Sequence, residues 1–142
     1  GFIQSGLEAG ATLIEGGEQE PEGLSRGYYV RPTIFSDVHN DMAIAREEIF
    51  GPVLCIMAYD TLEEAIEIAN DSDYGLSSAV FARSVDEALP IARRLKAGQC
   101  YLQGAEFSFD APFGGYKLSG NGREWGDEGL LEYAETKALL GA

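Results

Sequence analysis

The chain has 142 residues, 45% hydrophobic and 24% charged, the balance of an ordinary globular domain with enough length for a core. Its formal net charge of -14 repels phosphate backbones and argues against nucleic-acid partners. No apolar run reaches the length of a membrane span, and no charged-then-apolar start resembles a secretory signal.

Residues 2–13 read as a helix, with Phe2, Ile3, Leu7, Ala9 and Leu13 as a loose apolar stripe. No capping residue precedes it, the expectation for a boundary set inside a longer polypeptide. The acidic, glycine-rich stretch at 16–23 reads as an exposed turn. The aromatic and β-branched run at 28–35 predicts a strand, and Pro32 places it at a sheet edge or a bulge. Residues 53–59 form a continuous apolar run, which predicts a strand covered on both faces. Thr61 and Glu64 have capping-box spacing and open a helix whose face is Leu62, Ala65, Ile66 and Ala69. It closes between Asn70 and Gly75, and a strand follows at 77–82.

Ser84 and Glu87 repeat the capping box and start a second helix with Ala88, Ile91, Ala92 and Leu95 on one face. Arg93, Arg94 and Lys96 suit its C-terminus, and Gly98 ends it. Pro90 predicts a kink or a late start. Residues 99–102 form a third strand. Strand–helix–strand–helix–strand with short connections predicts an α/β fold built on a parallel sheet. Beyond it lie a loop rich in glycine and aromatics at 104–126, a short helix at 128–134 and an apolar tail at 138–140.

Three stretches carry candidate chemistry: REEIFGPV at 46–53, APFGGYKLSGNGRE at 111–124 and GLLEYAETK at 129–137. The first turns into the apolar strand through Gly51 and Pro52, projecting Glu48 and Phe50. A carboxylate accepts two hydrogen bonds from a vicinal diol such as a ribose, and an aromatic ring packs on a flat heterocycle. The plainer reading makes Glu48 a capping or salt-bridging charge at a turn and Phe50 a core residue. In the second stretch, Gly120, Gly122 and Gly126 miss the dinucleotide fingerprint by one residue, with no strand leading in. Glycines so placed favour close backbone approaches. Phe107, Phe109 and Phe113 either line an apolar pocket or anchor the loop. His39 is the sole histidine and has no second ligand beside it, so no metal site is expected. Cys55 and Cys100 sit in apolar runs as free thiols, which fits a reducing, cytoplasmic setting and gives no nucleophile.

Together the segments EEIFGPV at 47–53 and PFGGYK at 112–117, the latter followed by SGNGRE at 119–124, resemble the aldehyde dehydrogenase superfamily over essentially the whole chain. NDSDYGLSS at 70–78 also looks like its family counterpart. The resemblance implies a three-layer parallel-sheet catalytic domain truncated at its N-terminal side, with residues 1–130 its C-terminal part and 131–142 an oligomerisation strand or tail. It implies that Glu48 binds the nicotinamide-ribose hydroxyls of NAD or NADP and that Phe50 lies beside the nicotinamide. Phe113, together with Phe107 or Phe109, matches the aldehyde pocket. The tail from Glu135 to Leu140 resembles the strand that joins a partner subunit's sheet, so a homo-oligomer is expected. Gln103 departs from the asparagine that many members carry.

The family's reaction is thiolate attack on an aldehyde, hydride transfer and thioester hydrolysis to the acid. Its nucleophilic cysteine, general base and dinucleotide-binding domain precede this region in family members. The resemblance therefore implies a C-terminal segment of an NAD(P)-dependent aldehyde dehydrogenase that is inactive alone. The other reading is a non-enzymatic oligomerisation or interaction module that uses an exposed sheet edge.

Overall fold

A computed structural model describes residues 1–24 and 26–141. The last residue of the expected tail, Ala142, lies outside the described residues. The chain folds as two compact units, Gly1–Asp71 and Ser72–Ala142. Both are α/β, and each contains a parallel strand pair.

The first unit opens with helix α1 (Phe2–Glu8) and strand β1 (Thr12–Glu15). The helix expected to reach residue 13 thus stops four residues after Gln4, because Gly10 turns the chain at φ +92. Strand β1 pairs antiparallel with β2 (Thr33–Ser36), which pairs parallel with β3 (Val53–Cys55). The sheet is therefore mixed, with β1 as an antiparallel edge. The strand expected at 28–35 begins only at Thr33. Pro32, which has no N–H to give, stands just before the central strand rather than on an edge. The irregular register falls instead in β1, between Leu13 and Glu15. The strand expected at 53–59 is three residues long, and Leu54 and Ile56 are exposed, so it is not covered on both faces.

Helix α2 (Ala43–Arg46) connects β2 to β3. Ala11, Phe35, Val38 and Ile44 form the core, and Phe35 is completely buried. Helix α1 approaches it through Gly6, where an added Cβ would lie 2.9 Å from Ile44 Cδ1 and 3.3 Å from Phe35 Cζ. Buried Thr33 is satisfied: its hydroxyl donates to the Arg31 carbonyl at 2.8 Å and accepts from Gly17 N–H at 3.1 Å. Helix α3 (Leu62–Asn70) closes the unit. Its cap matches expectation, with Glu64 N–H donating to Thr61 Oγ1 at 3.2 Å and Asp60 N–H donating to Glu64 Oε2 at 2.7 Å.

The second unit is built on β4 (Ser77–Val80), α4 (Val85–Ala92) and β5 (Gln99–Leu102), a parallel βαβ unit. Strand β3 pairs with β2 in the first unit, and β4 with β5 in the second. Ser84 caps α4 by accepting from Glu87 N–H at 3.2 Å. Pro90 lies inside α4, which starts on time at Val85 and ends at Ala92, one turn short of Leu95. A 3-10 turn (Lys117–Ser119) and helix α5 (Gly126–Leu131) follow. That helix starts two residues earlier than expected and ends three sooner. From 134 to 141 the chain has no helix or strand, and Leu139 and Leu140 are exposed.

Candidate functional site

In the first unit, α2 gives way to extended backbone at Glu47. Ile49 turns inward and packs on the core, so its neighbours Glu48 and Phe50 face out. The Pro52 carbonyl accepts from Thr33 N–H at 2.8 Å and fixes the far side of the turn to β2. The near side is held by Arg46, whose guanidinium forks onto the Asp71 carboxylate at 2.8 and 3.1 Å and also reaches the Asp71 carbonyl at 3.0 Å. Asn40 donates to the same carboxylate at 3.0 Å.

Between these anchors Phe50 adopts φ +50, the left-handed region that a bulky residue occupies at a cost of about 1–2 kcal/mol. Phe50 is 93% exposed. It lies outside the core cluster of the described residues. Beside it, Glu48 is also exposed. The two share an open cavity of about 440 Å³ floored by Ile44, Val53 and Cys55. Phe50 also borders a second cavity of about 350 Å³, with Phe2, Ile3 and Tyr29 on its walls. An open carboxylate next to an open ring provides the hydrogen-bond acceptors and the apolar face that a ribose diol and a planar heterocycle require.

Cys55 lies at the floor of the cavity that Glu48 and Phe50 share. Burial pushes its thiol above the ordinary range, and its Sγ donates to the Ile44 carbonyl at 3.5 Å. Among the described residues no group of three or more His, Cys, Asp or Glu side chains is placed to hold a metal ion. His39 is exposed, and its carbonyl accepts from Met42 N–H at 3.0 Å. The Asp37 carboxyl is held below the usual range by hydrogen bonds from Thr12 first, then Ser36, with a smaller pull from His39.

In the second unit the aromatic residues meet at Trp125. Ring centroids lie 4.9 Å from Trp125 for Phe107, 5.1 Å for Phe109 and 4.8 Å for Phe113. Phe107 and Phe109 stand edge to face at 4.9 Å. A two-way bridge between Phe113 and Glu124, both bonds 2.7 Å, sets Trp125 beside Phe113. Phe107 and Phe109 remain exposed on their outer sides. A cavity of about 320 Å³ beside the loop is lined by its other side chains, Glu106 and Ser108 among them, with Cys100 and Tyr101. Phe113 borders a different cavity, of about 370 Å³, with Arg123 and Glu124. Trp125 was not singled out by its sequence context. Its φ of +60 and its place after Glu124 become informative only once Phe113 is paired with Glu124.

The glycine loop packs against itself. Gly115 is buried against Ser119, and the Gly114 carbonyl lies where a Cβ on Gly98 would sit. Arg123 donates to the carbonyls of Gly115, Asn121 and Gly122 at 2.9–3.0 Å. These glycines serve backbone approach, as expected, and no strand runs into them to form a phosphate loop.

The aldehyde dehydrogenase family model matches residues 1–139. A 3-succinoylsemialdehyde-pyridine dehydrogenase from a Pseudomonas species is 56% identical over 98% of this chain. Aldehyde Dehydrogenase C from Pseudomonas syringae, solved with NAD+ and octanal, is 51% identical over 99% of the chain, with a TM-score of 0.95. An aldehyde dehydrogenase from Mycobacterium tuberculosis, solved with NAD+, is 46% identical over 99% of the chain, with a TM-score of 0.91. The chain spans only 29% to 30% of the length of these proteins. On sequence and on structure alike, the chain belongs to the aldehyde dehydrogenase family.

Proposed function

We propose that this chain supplies the nicotinamide-ribose contact and part of the aldehyde wall of an NAD(P)-dependent aldehyde dehydrogenase that oxidises an aldehyde to a carboxylic acid. The observation that carries this reading is the exposed pair Glu48 and Phe50 over one open cavity. Glu48 accepts both ribose hydroxyls, and Phe50 offers its face to the nicotinamide. The nicotinamide group, when bound, supplies the two-electron oxidant. Neighbours solved with NAD+ support NAD as the dinucleotide. Phe113 and Phe107 face the aldehyde. The sulfur nucleophile and general base come from residues other than these; Cys55 and Cys100 are free, partly buried thiols that lie outside the nucleophile's motif. Two free thiols suit a reducing, cytoplasmic compartment. No helix among the described residues is long and apolar enough to cross a membrane. Residues 131–142 then form the tail that pairs with a second copy, which the exposed Leu139 and Leu140 favour.

The isolated chain should give no NAD or NADP reduction above background with any aldehyde. Clear turnover by the pure chain would refute this division of labour. A chimera in which residues 1–139 replace the matching part of the P. syringae enzyme should turn over. In it Glu48→Gln should raise KM for NAD about tenfold, as expected for loss of a charge-assisted hydrogen bond. An unchanged KM would remove Glu48 from the cofactor site.

A further inference from the structure

Beyond β5 the chain makes a tight turn. Gln103 and Gly104 both have positive φ, +52 and +70, and Ala105 N–H donates to the Leu102 carbonyl at 3.0 Å. Two successive left-handed residues favour Asn-Gly, because asparagine tolerates that conformation and glutamine does so less well. Glutamine therefore has no local advantage here.

Its advantage lies across the sheet. Gln103 Oε1 accepts from Ala82 N–H at 2.7 Å, and Gln103 Nε2 donates to the Ala82 carbonyl at 2.6 Å. A side-chain carboxamide is a copy of a peptide unit. The pair continues the β4–β5 ladder past Val80 and Leu102, where the Gln103 backbone N–H already bonds the Val80 carbonyl at 3.0 Å. Asparagine is one methylene shorter and does not span the same gap. From this clasp the chain departs into 104–112, which carries Phe107 and Phe109 to Trp125.

We infer that Gln103 is a positioning residue: by closing the sheet onto Ala82 it fixes the turn from which the phenylalanine loop hangs, and so sets the apolar wall that an extended aliphatic aldehyde would meet. The inference rests on the reading of Phe107 and Phe113 as aldehyde-side residues. Gln103 itself touches no substrate. It acts through the loop, and its effect should appear in aldehyde affinity rather than in turnover.

The full 142-residue chain tests the clasp directly, because Trp125 is its only tryptophan. In Gln103→Ala and in Gln103→Asn, the Ala82 amide should exchange with solvent about tenfold faster by NMR, the loss expected when a short hydrogen bond is removed. Trp125 emission should shift to the red in both. Gln103→Asn guards against a folding defect, since asparagine suits the turn. If it matches the parent in exchange and emission, the turn alone matters and the clasp is refuted.

In the P. syringae chimera, Gln103→Ala should raise KM for octanal about fivefold, with kcat and the KM for NAD within about twofold. Equal shifts in both KM values, or a change confined to kcat, would overturn the positioning role. A chimera without turnover would instead refute the aldehyde reading and, with it, the link from clasp to substrate, while exchange and emission still decide the clasp itself.

Discussion

The two units are held by different materials. Gly1–Asp71 has a side-chain core, centred on Phe35 and closed by Val38, Ile44 and Ala11. Ser72–Ala142 buries only Val80 and Ala88 among its apolar side chains, within the described residues, and relies on backbone meeting backbone. Gly98 lies against Gly114, and the Gly75 carbonyl accepts from both Gly98 N–H and Tyr116 N–H, at 3.0 and 2.9 Å. Glycine thus does for the second unit what phenylalanine does for the first. A motif search that weighs glycines only as phosphate ligands misreads such a unit.

The sharpest way to break the comparison is Phe35→Ala, which should cost about 3–5 kcal/mol of unfolding free energy through the cavity it leaves. Urea unfolding would measure it, and a loss below about 1 kcal/mol would show that the first unit does not depend on this ring. Next comes Gly98→Ala, which drives a methyl into the Gly114 carbonyl and should cost about 1–3 kcal/mol. A neutral Gly98→Ala would mean that the second unit is loosely packed. The caps should make the units equal: Thr61→Ala and Ser84→Ala should each cost about 1 kcal/mol, since both hydroxyls accept one N–H at 3.2 Å. The smallest effect belongs to Cys55. Burial raises its thiol, so its contribution is present below the ordinary thiol range and is lost as pH rises through the raised folded value. Unfolding at about pH 7 and about pH 10 should differ by more in the parent than in Cys55→Ala, provided only the thiol is at issue.

Local signals were readable in the sequence and distant ones were not. Thr61 with Glu64, and Ser84 with Glu87, lie within one helical turn of each other, and both caps form as spacing predicts. Strand β5 occupies residues 99–102 as expected. Strand β1 was hidden inside an apolar stripe, because only pairing with β2 makes Thr12–Glu15 extended. Residues 28–32 have strand composition but Pro32 gives no N–H to a ladder, and the strand waits for Thr33. At the site, Glu48 and Phe50 could be named from their motif, but their openness followed from Ile49 turning inward between them. Trp125 and the reach of Gln103 to Ala82 could not be seen, since each joins residues 12 to 21 positions apart along the chain.

One small residue has long reach. Gly6 lets α1 rest directly on Phe35 and Ile44, with no spacer between helix and sheet. Phe35 belongs to β2, and β2 grips the Pro52 end of the turn that carries Phe50. Phe2 and Ile3, on the same helix, wall the cavity on the other side of that ring. A single methyl on Gly6 would lift α1 like a shim under a hinge, so the gap beside Phe50 would change width although the edit lies more than forty residues upstream.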